Sequence, residues 1–197
     1  MFQELTPELA GSLNREGLDK DFPYRVVDAQ PVAAGVGIWS RYPIVRSIRI
    51  PGYTLGAMRA DIRVQGAAHD VVALTTHLTG NWPQSIDRWR AEIATFADTM
   101  STTAAHAGEG AAIVAGDFNA TFDMQPFRRL LRDGFRDAAE QSGAGLTPSV
   151  PAGMPLPPLL GIDRILTLNS SASNVRTVRI PGSDHLGLSA TVHLLRR

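Results

Sequence analysis

Apolar and polar positions follow two different periods along this chain, and the switch between them places the elements. Alternating or continuous apolar runs predict strands at 24–27, 35–40, 44–50 and 56–64. Residues 70–78, "DVVALTTHL", are apolar without alternation, which predicts a strand covered on both faces. Ile86, Trp89, Ile93, Phe96 and Met100 recur at steps of three and four, which predicts an amphipathic helix with one buried stripe. "AAIVAG" at 111–116 predicts the next strand, and 162–168, 175–180 and 186–195 predict three more. The first helix has a full start signal: Thr6 as N-cap, Pro7 at the first position, Glu8 in the first turn, with an end near Gly17. A short helix over 125–134 ends at Gly134. Between Ser142 and Gly161, Pro148, Pro151, Pro155, Pro157 and Pro158 forbid regular structure and predict a long irregular loop.

Strands interleaved with helices, with no internal repeat and no linker, predict one α/β domain over 1–197. A 44% hydrophobic and 19% charged composition supplies a core and excludes disorder. The zero formal net charge argues against a broad, sequence-blind grip on nucleic acid, while leaving a local basic groove open. With no cysteine, disulfides, zinc–thiolate sites and cysteine nucleophiles are excluded. No apolar run approaches the ~20 residues of a membrane span, and the start lacks a signal-peptide layout. The chain as given is expected to be soluble.

The chemistry gathers at element ends. His77 closes one predicted strand, and Asp117 and Asn119 close another. Asp163 opens a strand after the proline-rich loop, Asp184 and His185 fill a turn, and Glu4 precedes the first helix. Strand ends are where distant segments converge on a pocket. Glu4 and Asp117 are hard oxygen ligands of the kind magnesium and manganese prefer. His185 can take a proton from water, with Asp163 fixing its tautomer. Asn119 and His77 can donate to phosphate oxygens. Each residue also has a plainer reading. Asp117 and Asn119 suit a turn, His77 a satisfied core position, and Asp163 a loop cap. His69, His106 and His193 lack companions at ligand spacing and read as surface or structural. Arg128, Arg129, Arg132 and Arg136 read as a solvated helix face. Trp82 either lines the pocket or covers a helix start, and "MPLPPLLG" is expected to pack beside Asp163.

In order and spacing, six motifs resemble those of the endonuclease/exonuclease/phosphatase superfamily, which includes deoxyribonucleases, abasic-site endonucleases, inositol-phosphate 5-phosphatases and sphingomyelinases. They are Gln3–Glu4, "GVGIWSRYPI" from Gly35 to Ile44, "TTHL" from Thr75 to Leu78, "GDFNAT" from Gly116 to Thr121, "IDRIL" from Ile162 to Leu166, and "GSDHLGL" from Gly182 to Leu188. The resemblance implies a four-layer α/β/β/α sandwich with two mainly antiparallel or mixed sheets. It implies in-line attack of water on a phosphoester, aided by Mg2+ or Mn2+. By the same likeness, Glu4 holds the metal and Asp184 helps to bind it or order the site. Asp117 orients the water, Asn119 holds the scissile phosphate and His77 contacts a phosphate oxygen. His185 is the general base, paired with Asp163. The substrate is expected to be a nucleic acid, a phospholipid headgroup or a small phosphate ester. The likeness is greatest to bacterial members, several of which carry the domain behind N-terminal membrane helices. It implies a monomeric, extracytoplasmic domain of a membrane-anchored parent.

One departure stands out. The family opens with a strand carrying an asparagine of the metal site, some tens of residues before the "QE", and that strand is not in this sequence. The resemblance therefore implies an N-terminally truncated domain with exposed strand edges and a bared strip of core. It leaves an alternative: a catalytically impaired fragment that only binds phosphate groups.

Overall fold

A computed structural model describes residues 1–80 and 85–196. Trp82 lies outside the described residues. Helix α1 (Pro7–Arg15) starts as the sequence predicts, with the Thr6 hydroxyl accepting from Leu9 N–H, and α2 (Leu18–Asp21) follows. Among the described residues, ten strands form three sheets. β1 (Tyr24–Asp28) and β2 (Val36–Ser40) make one antiparallel ribbon. β3 (Ile44–Arg49), β4 (Ala57–Ile62), β5 (Val71–His77), β6 (Ala112–Asp117), β7 (Arg136–Asp137) and β8 (Asp163–Leu168) make a mixed six-stranded sheet of order β3-β4-β5-β6-β8-β7. Its β5 and β6 pair in parallel, with α3 (Ile86–Ala107) crossing between them, and its other pairs are antiparallel. β9 (Ser171–Val178) and β10 (Gly187–His193) make a second antiparallel ribbon.

Every residue of β5 is buried, as its unbroken apolar run requires. On one face of the large sheet lies the main core, where α3 and α4 (Gln125–Arg129) pack on Leu74, Val114, Phe118 and Leu166. On the other face the β1–β2 ribbon packs Val36 and Ile38 on Met58, Ala60 and Ala73. The outer side of that ribbon meets α2, where Trp39 Nε1 donates to Asp19 at 3.0 Å. The result is a layered α/β sandwich whose second sheet layer comes as two ribbons. Between β2 and β10, above Ile62, Ala73 and Ile113, is an apolar cavity of about 180 Å³.

Two expectations need correction. Ile86 does not join the buried stripe of α3: it is 42% exposed, because the helix begins there and only from Trp89 does the stripe meet the sheet. The apolar side chains of the proline-rich loop do not pack beside Asp163. Met154, Leu156, Leu159 and Leu160 are all exposed. The loop docks instead through small residues and backbone: Ser149 and Ala152 are buried, Ala152 N–H donates to Asp184 C=O at 2.6 Å and Leu186 N–H to Ser149 C=O at 2.8 Å. Helix α5 (Ala138–Ser142), started by the Asp137 carboxylate, leads into this loop.

Candidate active site

The register of three neighbouring strands aligns three of the candidate residues. His77 on β5 pairs with Asp117 on β6, and Asp117 pairs with Asp163 on β8. Strand neighbours lie ~5 Å apart, so the three form a row across the end of the large sheet. The row depends on a glycine. A Cβ at Gly116 would lie 1.9 Å from the Thr76 carbonyl oxygen, so only glycine lets β6 approach β5 this closely.

Side chains two apart in an extended segment share a face. Phe118 accordingly turns away from Asp117, into the core, where its ring lies 5.7 Å from Phe96 and 5.5 Å from Phe127, both edge to face. The chain then turns sharply at Asn119, whose φ of +47° is left-handed, a conformation asparagine tolerates. Asp117 Oδ1 accepts from Asn119 N–H at 2.7 Å, and Asn119 Nδ2 donates to Leu78 C=O at 2.8 Å. The plain turn and the site are thus one object: the turn holds both heads on the row. The second hydrogen of Asn119 Nδ2 faces Asp117 Oδ2, 3.4 Å away.

The opposite side is built from turns. His185 lies between β9 and β10, its N–H on Ser183 Oγ at 3.1 Å and its Nδ1 2.8 Å from Asp163 Oδ2. Oxygen or nitrogen atoms of Asp117, Asp163 and His185 all lie within 4.8 Å of one another. Glu4 sits on the short segment that runs beside β2, fixed by Phe2 pairing with Gly37 and by Leu5 N–H on Gly35 C=O at 2.9 Å. Its φ of +52° is unusual for a residue with a Cβ. Glu4 and Asp184 are outside the three-residue cluster, but the Asp184 charge acts on Glu4.

The electrostatics follow from burial first and from neighbouring charges second. Burial first, then Asp163, pushes the Asp117 carboxyl up to about 7. Burial and then Asp184 raise Glu4. Burial drives His77 down to about 4, so its ring is neutral at pH 7. The hydrogen bond to Asp163 lifts His185 to about 9. The raised Glu4 and Asp117 carboxyls, each owed in part to a neighbouring carboxylate, mark a place where added positive charge would be stabilising. Glu4 and Asp184, carboxylates that act on the same site, offer the oxygen donors a hard divalent cation takes, and these residues fit such an ion.

The other polar candidates lie elsewhere. His106 Nε2 meets both Asp61 oxygens at 2.9 and 3.1 Å, and His193 meets Ser173 Oγ at 2.7 Å. His69 lies 3.8 Å from Glu109. Arg128 bonds carbonyls of its own turn and Arg129 bonds Gln125. Two buried charged residues, Arg164 and Glu92, are missing from the candidates read off the sequence. Arg164, next to Asp163, is buried over the Phe122 and Phe127 rings, 3.5 Å from Asp137. Glu92 is buried on α3. Its spacing could have shown it, since it falls three after Trp89 and four before Phe96, on the apolar stripe.

The structure is similar to several solved ones at low identity. Truncated TDP2 of Caenorhabditis elegans matches with a TM-score of 0.76 at 15% identity, over 97% of this chain and 82% of that one. An endonuclease/exonuclease/phosphatase from Bacteroides vulgatus matches at 0.75 and 16%, over 98% and 83%. The 3' phosphatase NExo from Neisseria, bound to a product DNA hairpin, matches at 0.72 and 16%, over 95% and 85%. At such identities the likeness is one of fold. Comparison with curated protein sequences gives no match. The sequence profile of the Endonuclease/Exonuclease/phosphatase family matches residues 1–185, and the chain belongs to that family.

Proposed function

We propose that the protein is a divalent-metal-dependent phosphoester hydrolase. The observation that carries this is the row His77–Asp117–Asp163 closed by His185 on Asp163, at the motifs of a phosphoesterase family. Glu4 and Asp184 would hold Mg2+ or Mn2+, which when bound supplies positive charge against the phosphate and the crowded carboxylates.

The remaining roles fall to the chain's own groups. With Nδ1 turned to Asp163, His185 in its neutral form, which a cation bound beside it would favour over the imidazolium, presents Nε2 to the site and takes the proton of the attacking water there. Asp163 holds the ring and supports the imidazolium that forms. Asp117 accepts a hydrogen bond from that water and orients it. The neutral His77 donates from a ring nitrogen to a phosphate oxygen, and the second amide hydrogen of Asn119 moves from Asp117 to another. A nucleic acid, a phospholipid headgroup or a small phosphate ester presents the phosphate this site takes; solved neighbours include a phosphatase bound to DNA. Among the described residues no helix is long and apolar enough to cross a membrane. The likeness to bacterial members adds a membrane-anchored, extracytoplasmic parent and a monomeric state to the proposal.

The test is hydrolysis of bis-p-nitrophenyl phosphate with Mg2+ or Mn2+. Turnover should vanish with EDTA and fall at least ~100-fold in His185→Ala. Metal-independent turnover, or full activity in that variant, refutes the mechanism. Phosphate binding without turnover supports the non-catalytic alternative.

A further inference from the structure

Glu92 is a carboxylate in the wrong company. It lies on the stripe of α3 that otherwise packs Trp89, Ile93 and Phe96 into the core, and it is 5% exposed. A buried charge is costly unless fully hydrogen-bonded. Here it is bonded, by neutral donors. Oε1 accepts from Thr54 N–H at 3.1 Å and from the Thr54 hydroxyl at 2.6 Å, and Oε2 accepts from Thr79 N–H at 3.0 Å. The nearby Arg88 guanidinium donates to Thr54 Oγ1, not to the carboxylate.

Packing alone does not call for a carboxylate at this position, since an apolar side chain would suit the stripe. What it does is join two segments, and both lead to His77. Thr79 lies two residues after His77. Thr54 lies two residues before Gly56, whose C=O accepts His77 N–H at 2.9 Å. Leu78, between His77 and Thr79, donates to Asp117 C=O at 2.9 Å and accepts from Asn119. The peptide carrying His77 is thus held between Asp117 and Gly56, and one carboxylate ties the segment that follows it to the segment of Thr54 and Gly56.

We propose that Glu92 is a positioning residue that sets the His77 ring against the phosphate site by clamping the segments of Thr54 and Thr79. The functional part of this rests on the phosphoesterase reading; the geometric part does not. Glu92→Gln keeps the size and one acceptor, but its NH2 group turned to Thr79 N–H sets donor against donor, so the clamp opens on that side.

The experiment compares the full chain with Glu92→Gln and Thr54→Val, which removes only the hydroxyl donor. It measures kcat and KM for bis-p-nitrophenyl phosphate with Mg2+, the melting temperature, and NMR signals of the His77 ring and the Leu78 amide. His77 meets a phosphate oxygen that gains charge in the transition state, so misplacing it lowers kcat more than it raises KM. We expect kcat to fall about tenfold in Glu92→Gln with KM within about twofold, a smaller fall in Thr54→Val, and displaced His77 and Leu78 signals in both. A lowered melting temperature with unchanged kcat, or a fall in kcat with unmoved His77 and Leu78 signals, overturns the proposal. If the parent chain has no turnover, the phosphoesterase reading has failed and the NMR signals alone decide: displaced signals support the clamp and unmoved ones overturn it. If Glu92→Gln does not fold, Thr54→Val is read in its place.

Discussion

The candidate site has two walls built in different ways. The first is the end of the large sheet, where His77, Asp117 and Asp163 stand side by side on hydrogen-bonded strands over an aromatic core. The second is made of turns and short segments: Glu4 beside β2, and Asp184 with His185 between β9 and β10. The two ribbons behind the second wall share no ladder with the large sheet among the described residues. Backbone pairing sets the spacing of the first wall. The second is aligned by the His185–Asp163 bond and by the loop that links Ser149 and Ala152 to the turn. One wall is a frame and the other a set of arms brought to it, and substitutions should separate them.

The largest effect should come from beneath the first wall. Phe118 is wholly buried and links the rings of Phe96 and Phe127. Phe118→Ala should cost about 3–5 kcal/mol in urea unfolding. A cost near ~1 kcal/mol would mean the frame is no stiffer than the arms. Next comes glycine against glycine. Gly116→Ala puts a methyl on the Thr76 carbonyl oxygen and should cost about 2–3 kcal/mol. Gly182→Ala, at φ +82° with open space around it, should cost about 1 kcal/mol, for backbone conformation alone. Equal costs at the two positions would contradict the contrast.

The two walls were unequally legible in the sequence. The first was written in strong local signals. An unbroken apolar run marked β5, and the "GDFN" step marked the end of β6. The α/β class followed from the same runs, while the layered sandwich came only with the family resemblance. The loop after Ser142 was harder, because prolines and glycines say what a segment cannot be. That its backbone docks on Asp184 while its leucines face solvent depends on residues distant in the chain, which local sequence does not encode. Glu92 was hidden differently: a charge on an apolar stripe looks like a defect until its three donors are seen. The splitting of the second layer into two ribbons is also tertiary, a matter of which edges meet.

pH tests the joint between the walls. The His185 ring has a folded pKa of about 9 against an ordinary 6.5, owing first to its bond with Asp163. The folded state therefore holds this proton more tightly than the unfolded chain. The resulting stabilisation is complete below about 6.5 and is lost as pH rises through about 9. Unfolding free energy should fall between those values, by on the order of 1–3 kcal/mol, and His185→Asn should flatten the slope. In the first wall the two shifts oppose each other. Lowering of His77 to about 4 makes stability rise with pH up to its ordinary value, while raising of Asp117 to about 7 makes it fall. A slope above about pH 7 that survives in His185→Asn would place the pH-sensitive joint elsewhere.

The smallest effect is the most discriminating, because it compares the same residue type in the two regions. Val114 on β6 is fully buried in the main core, and Val114→Ala should cost about 1–3 kcal/mol. Val178 ends β9 in the ribbon and is 45% exposed. Val178→Ala removes little packed surface and should lie within about 0.5 kcal/mol of the parent in urea unfolding. Both substitutions delete the same methyl groups, so any difference belongs to the surroundings. If Val178→Ala costs as much as Val114→Ala, that face of the ribbon is covered in solution, and the second wall is a packed layer like the first.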